Sequence, residues 1–322
     1  MKEKFLKCKF DMTLSVIIPV YNEEENVPVI FERLTKAVAE MGLEHVELLF
    51  VNDGSTDRTM EVIKALPSTK THIRFIDLSR NFGHQIAVTA GLDYCTGNRV
   101  VIIDADLQDP PELIKTLNAK MDEGFDVVYA QRIKRKGESL MKTATASFYY
   151  RLLDSITSVH IPIDTGDFRI ISRRVVEALK QMPEREKFLR GQIAWLGFNQ
   201  TFVEYEREER SAGATGYTWR KMTALALDGI TSFSNFPLKV ATISGFVVSF
   251  ISFFLMLYAL YSRFVLKVYE PGWTSLILSV LFIGGIQLFS IGIIGEYIGR
   301  ISNNVKQRPL YLIKECNKAE EE

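Results

Sequence analysis

Cysteine is scarce in this chain of 322 residues: there are three, Cys8, Cys95 and Cys316. An odd number with no Cys-x-x-Cys spacing excludes a disulfide framework and a cysteine metal knuckle. Cys95 ends an apolar helical stretch and is expected in the core. Net charge is missing as well, because 39 Lys and Arg balance 39 Asp and Glu. Without a global basic field, nucleic acid is not expected as a partner. Neither glycine cradle for phosphates is present. No Gly-x-Gly-x-x-Gly follows the first strand pattern, and no Gly-x-x-x-x-Gly-Lys-Ser/Thr occurs. Dinucleotide enzymes and P-loop hydrolases are thereby disfavoured. No apolar run follows the charged first residues, so no secretory signal is expected, and the soluble part is placed on the cytoplasmic side.

Charge is also absent from two long stretches, residues 240–262 and 273–295. Each would make a helix of roughly 34 Å, enough for a hydrocarbon core of about 30 Å. Pro271 and Gly272 lie between them, which predicts an antiparallel hairpin. Arg220, Lys221 and Lys239 precede the first stretch, and Arg300, Lys306, Arg308, Lys314 and Lys318 follow the second. The turn holds Arg263, Lys267 and Glu270. By the positive-inside rule both termini are expected in the cytoplasm. Residues 219–234 mix apolar and charged positions at helical period, as in a helix lying in the membrane interface or packed on the soluble domain.

What is present before residue 236 is an alternation. Strand patterns at 14–20, 46–52, 73–78, 99–104 and 126–130 are separated by helical patterns at 24–41, 56–65, 84–95 and 111–123. Continuous apolar strands separated by helices predict an α/β fold with a mostly parallel sheet covered on both faces. In such sheets the ligand lies beyond the carboxyl ends of the strands. Three polar clusters stand there: Pro19-Val20-Tyr21-Asn22-Glu23, Asn52-Asp53-Gly54-Ser55-Thr56-Asp57 and Asp104-Ala105-Asp106-Leu107-Gln108-Asp109-Pro110. Each is weak alone, and an Asp-x-Asp arises by chance in a chain of this length. Its place at a strand end is what matters. Two carboxylates with no nearby lysine repel each other, and a hard cation bridging them to a diphosphate removes that cost. With no glycine cradle, a diphosphate needs such a cation, which points to Asp104 and Asp106 with Mg2+ or Mn2+.

These motifs resemble the family 2 glycosyltransferases with a GT-A fold. More narrowly they resemble the polyprenyl-phosphate glycosyltransferases, among them dolichyl-phosphate mannose synthases and the bactoprenol glucosyltransferases of O-antigen modification. Gly166-Asp167-Phe168-Arg169 and Gly295-Glu296-Tyr297-Ile298-Gly299-Arg300 extend the likeness over nearly the whole chain. The resemblance implies that Pro19, Tyr21 and Glu23 line the nucleotide pocket and that Asp53 meets the base or ribose. It places Asp104 beside the nucleotide, Asp106 as principal metal ligand and Gln108 near the diphosphate or sugar. Arg132, assisted by Lys142, would meet the phosphate of the lipid acceptor. Arg210 would close over the diphosphate. Asp167 would orient the acceptor or act as a base, with an ion pair to Arg169 or a helix cap as its structural alternative. One position departs from the pattern: Gly216 stands where the family usually has lysine, so Arg220 or Lys221 supplies that charge or the site is altered.

The expected organisation is a cytoplasmic GT-A domain over 1–215, an interfacial amphipathic segment over 216–236, a transmembrane hairpin over 237–299 and a cytoplasmic tail over 300–322. The implied reaction is inverting transfer of a hexose, glucose from UDP-glucose first, to polyprenyl (undecaprenyl) phosphate at the bacterial inner membrane. Another UDP-hexose or GDP-mannose is a possible donor, and a homo-oligomer is possible. A processive polysaccharide synthase is disfavoured because Gln192-Ile193-Ala194-Trp195 lacks the arginine of Gln-x-x-Arg-Trp. A non-catalytic scaffold or lipid-translocating subunit is the other alternative. Every motif of the site lies before residue 237, so a chain cut there is expected to keep donor and metal binding.

Overall fold

Runs of β-branched and apolar residues set the central strands. They are β1 (Thr13–Val20), β2 (His45–Asn52), β3 (His72–Leu78) and β4 (Arg99–Ile102). The computed structural model describes residues 13–43, 45–67, 71–133, 165–206, 236–261, 264–265 and 272–317. Lys142, Arg210, Gly216, the segment 219–234 and Pro271 in the turn lie outside the described residues.

Between these strands run α1 (Asn26–Ala39), α2 (Thr59–Lys64) and α3 (His84–Tyr94), and α4 (Ile114–Met121) follows β4 after one 3-10 turn. Alternate residues of a strand face opposite ways, and β1 divides its side chains accordingly. Val16 and Ile18 pack with Ile30 and Leu34 of α1, while Ile17 packs on the other face with Ala87 and Ala90 of α3. Both faces are covered, as the alternation of elements predicts.

The chain continues through β5 (Val127–Arg132), β6 (Thr165–Ser172), α5 (Arg173–Lys180), α6 (Leu189–Trp195) and β7 (Gln200–Tyr205). A last strand, β8 (Ile313–Cys316), comes from the far end of the sequence. The sheet has the order β7-β5-β6-β4-β1-β2-β3-β8. The strands β3, β2, β1 and β4 are mutually parallel, and β5 is parallel to β7. β6 runs antiparallel between β4 and β5, and β8 is antiparallel to β3. An antiparallel strand starts where its parallel neighbours end, so the first residues of β6 lie at the edge to which the motif loops converge.

The described residues form two compact units. One is the sheet with its helices, including the residues from 308 onward. The other contains α7 (Phe236–Tyr261) and α8 (Trp273–Val305), both long and apolar enough to cross a membrane. α8 continues well past residue 295, where the uncharged stretch ends, and Glu296 and Arg300 pair at i,i+4 at 3.3 Å along it. The residues expected to form a tail from 300 thus supply the end of a helix and an edge strand.

At the amino ends of the central strands the sheet buries a charge. Glu47 accepts hydrogen bonds from Ser15 Oγ, from Arg74 and from the amide and hydroxyl of Thr96, the last two at 3.1 Å. Removing one partner of a buried ion pair strands the other charge. Glu47→Ala is therefore expected to destabilise the protein by about 3–5 kcal/mol. Unfolding of the purified protein would measure it, and a loss below about 1 kcal/mol would show the network to be dispensable.

Candidate active site

The loops after β1 and β2 are laced together. Asn22, in the left-handed region at φ 55°, donates its N–H to Ser55 Oγ at 2.9 Å, and its Oδ1 accepts the N–H of Thr56 at 2.9 Å. The N–H of Glu23 reaches Thr59 Oγ1 at 2.9 Å, and the Glu23 carboxylate accepts from Asn26 Nδ2 at 2.5 Å. Pro19 is buried in β1, whereas Tyr21 is exposed beyond its end.

Asp53 is buried at the end of β2. It is 3% exposed, and its two oxygens accept the N–H groups of Phe82 at 2.7 Å and Gly83 at 2.9 Å. Burial pushes its carboxyl above the ordinary range against those two bonds. Gly54 follows at φ +64°, and a Cβ there would lie 2.3 Å from the Arg80 carbonyl carbon. The Asp-Gly pair is thus a seat for the loop after β3, which leads into α3. As placed, Asp53 shapes the pocket through that loop.

The centre of the site follows from strand register. Ile102 of β4 is paired with Arg169 of β6, and two steps further along antiparallel strands Asp104 comes to face Asp167. His84, first residue of α3, stands between them. Its Nε2 lies 3.1 Å from Asp167 Oδ2 and 3.6 Å from Asp104 Oδ1. Arg169 Nη2 at 2.9 Å and Arg190 Nε at 3.0 Å both donate to Asp167 Oδ1. Arg169 is 1% exposed and lies over the Tyr129 ring.

The protonation states follow from these contacts. Desolvation in the cleft would lower the His84 pKa, but the Asp104 charge and the bond with Asp167 carry it up to about 9. Burial raises Asp104, and the neighbouring charges of Asp167, Asp109 and Asp106 add to this against His84, leaving it at about 6. Asp167 is buried too, yet His84, Arg190 and Arg169 hold its carboxyl well below the usual range.

These residues fit a divalent cation. His84, Asp104 and Asp167 each offer a ligand atom, and those atoms lie within 4.8 Å of one another. Carboxylate oxygens with one imidazole suit a hard or borderline ion, and the crowding that raises Asp104 is what a cation would relieve. Asp106, expected as the principal ligand, stands outside that trio. Its Oδ1 accepts the N–H of Gln108 at 3.1 Å, closing a turn in which Leu107 takes φ 60°. His84 was missed by the sequence reading although Asn81-Phe82-Gly83-His84-Gln85 follows the third parallel strand, where the same strand-end rule applies.

Beside the trio, Arg132 ends β5 and Tyr205 ends β7. Arg132 Nε donates to the Tyr205 hydroxyl at 3.1 Å, and Arg132 Nη2 lies 3.6 Å from Asp109 Oδ1. Asp109 is fully buried and accepts the Tyr205 hydroxyl proton. Tyr205 and Arg190 had no motif to mark them.

Comparison with known proteins adds to this geometry. Residues 15–180 match glycosyl transferase family 2, and residues 236–301 match the GtrB C-terminal hairpin. An uncharacterized glycosyltransferase of Bacillus subtilis, YkcC, is 50% identical over 300 residues, 93% of each chain. A prophage bactoprenol glucosyl transferase homolog of Escherichia coli is 42% identical, over 95% of this chain and 100% of the relative. The SfII prophage-derived bactoprenol glucosyl transferase of Shigella flexneri is 43% identical, over 95% of this chain and 99% of the relative.

Proposed function

The chain belongs to glycosyl transferase family 2 with a GT-A fold, and we propose that it transfers glucose from UDP-glucose to polyprenyl (undecaprenyl) phosphate. The observation that carries this reading is the meeting of Asp104 and Asp167 at the strand ends, bridged by His84. The bactoprenol glucosyl transferase names of full-length relatives support the lipid acceptor and the sugar.

The acceptor is a phosphate monoester with a second pKa of about 6, so its oxygen is already largely ionised near neutral pH. A strong base is not required. Asp167, already engaged by three cationic side chains, suits orientation of the acceptor better than proton abstraction. The harder problem is an anion approaching an anionic donor. Arg132, with Lys142 and Arg210, offsets that repulsion. A phosphate oxygen bonds to the anomeric carbon as the bond to the nucleotide diphosphate breaks, and the diphosphate leaves with the electron pair. One displacement inverts the configuration. Asp104 and Asp106, with His84 and Asp167 in reach of the former, would hold Mg2+ or Mn2+, which supplies charge to the departing diphosphate. Pro19, Tyr21, Glu23 and Gln108 frame the donor side, with Asp53 beneath it.

The domain reading rests on one further feature. The residues before α7 and those after α8 join the same sheet, so the hairpin crosses the membrane an even number of times. Together with the basic flanks, this supports cytoplasmic termini and a hairpin turn on the far side of the bacterial inner membrane. Cysteine labelling in intact cells is expected to reach a site beside Gly272 and neither terminus. A terminus labelled from outside would overturn that orientation.

Purified protein incubated with labelled UDP-glucose, undecaprenyl phosphate and Mg2+ or Mn2+ is expected to form lipid-linked glucose. No product from any UDP-hexose or GDP-mannose would instead favour a non-catalytic role. In the same assay Arg132→Ala is expected to raise the KM for lipid phosphate roughly 10-fold or more, the weight of a charged hydrogen bond, with donor affinity unchanged. An equal loss of donor affinity would place Arg132 in the nucleotide pocket.

A further inference from the structure

The third carboxylate of the Asp-x-Asp-x-x-Asp run, Asp109, has no part in the cation trio and is wholly buried. A buried carboxylate is unfavourable unless it is paired, so its contacts show what it serves. Arg132 and Tyr205 occupy paired positions at the ends of the parallel strands β5 and β7. Asp109 reaches them from the turn after β4, with Pro110 and Pro111 next in the chain. The Tyr205 hydroxyl donates to Asp109 Oδ1 and accepts from Arg132 Nε at 3.1 Å. Burial and the Asp109 charge push the Tyr205 phenol well above its ordinary pKa, so it keeps the proton it donates. Phe168 packs edge-on against the Tyr205 ring at 6.3 Å. The guanidinium itself lies over Gly166: a Cβ there would come 2.6 Å from Arg132 Nη2. Gly166 immediately precedes Asp167, so the absent side chain is what lets the cation lie next to the central cluster.

We propose that Asp109 and Tyr205 are positioning residues, a buried clamp that fixes the Arg132 guanidinium over Gly166 to receive the acceptor phosphate. The inference rests on the reading that Arg132 meets that phosphate. An arginine side chain has many rotamers, and holding its planar fork in one of them spares the entropy otherwise lost on binding the phosphate. The clamp also assigns the Asp-x-Asp-x-x-Asp run two duties, the first carboxylate toward the cation and the last toward the acceptor.

The test is a double-mutant cycle on the full-length chain, reading KM for undecaprenyl phosphate and for UDP-glucose separately. Tyr205→Phe keeps the ring against Phe168 and removes only the hydroxyl, so it is expected to fold. It should raise the acceptor KM by roughly 5-fold, the weight of one ordinary hydrogen bond and less than the loss of the guanidinium itself, and leave the donor KM unchanged. Asp109→Asn should act in the same direction. In an Arg132→Ala background, Tyr205→Phe should add nothing, because its effect runs through the missing guanidinium. The same 5-fold increment in that background, or a shift in donor KM instead, overturns the clamp. An Arg132→Ala variant with unchanged acceptor KM overturns the assignment of Arg132 itself, a distinct result that removes the clamp's purpose as well.

Discussion

Asp104→Asn is expected to lower the transfer rate on the order of a thousandfold without loss of stability in the metal-free protein. The two halves of that expectation have one cause. Burial lifts the Asp104 carboxyl, and Asp167, Asp109 and Asp106 add to this against the pull of His84, leaving it at about 6. Replacing it with a neutral amide removes the desolvation of a buried charge and its repulsion by three carboxylates, so the melting temperature should hold or rise. The same replacement removes an anionic ligand from the site where His84, Asp104 and Asp167 offer atoms within 4.8 Å of one another. A ligand that binds only the folded state raises its melting temperature. Mn2+ should therefore stabilise the wild-type protein and fail to stabilise the variant. Activity within 10-fold of wild type, or wild-type activity undiminished in excess chelator, would remove the cation from the mechanism. Asp106→Asn decides the second ligand. A loss as large as that of Asp104→Asn places both carboxylates on the cation. A loss below 10-fold leaves Asp106 to its turn with Gln108.

How much of this could be read from residues alone differs between the two halves of the sheet. β1, β2 and β4 each hold an unbroken apolar run, Val16–Val20, Leu48–Val51 and Val100–Ile102, and β3 holds Phe75, Ile76 and Leu78; such runs between helical patterns have few other readings. The strands β6 and β7 escaped because they are not like that. β6 carries Asp167 and Arg169 as its third and fifth residues, and β7 is an edge strand with partly exposed polar residues. With β6 unread, the facing of Asp104 and Asp167 could not be derived, since it depends on an antiparallel register between residues 63 apart in sequence (167 − 104). Asp104 itself was legible because two carboxylates at the end of an apolar strand are hard to explain without a cation. His84 was legible by the same rule and overlooked. Arg190 and Tyr205 were not, because a lone arginine on a short helix and a tyrosine closing an edge strand carry no local signal. Asp53 has a structural duty that its motif did not announce: its two oxygens accept the N–H groups of Phe82 and Gly83.

Deleting residues 310–322 while keeping both long helices is expected to destabilise the sheet unit and weaken donor binding. Sequence alone made this segment a tail, and a chain cut before Pro237 was expected to retain the site. The eighth strand, paired with β3, gives a reason to expect a different result. Tyr311 donates to Asp93 at 2.7 Å, the Leu312 carbonyl accepts the N–H of Ser79 at 2.9 Å, and Asn317 accepts the N–H of Phe75 at 2.6 Å. Lys314 pairs with the buried Asp77 at 3.2 Å. Asp77 in turn accepts from Asn52 Nδ2 at 2.7 Å, Asn52 Oδ1 accepts the Ser55 hydroxyl at 2.5 Å, and Ser55 holds the N–H of Asn22 at 2.9 Å. The strand thus lies at the far end of a chain of bonds that orders the donor loops. Losing these contacts, at about 1 kcal/mol each, should cost about 3–5 kcal/mol, a fall of roughly 10 °C in melting temperature for a unit of this size. UDP-glucose affinity should fall with it, and Lys314→Ala should reproduce part of both effects. An unchanged melting temperature and donor affinity after the deletion would make β8 a passive edge. A chain ending before Pro237 loses this strand together with α7 and α8, so inactivity of that truncation would say nothing about the hairpin unless residues 308–317 were restored to the sheet.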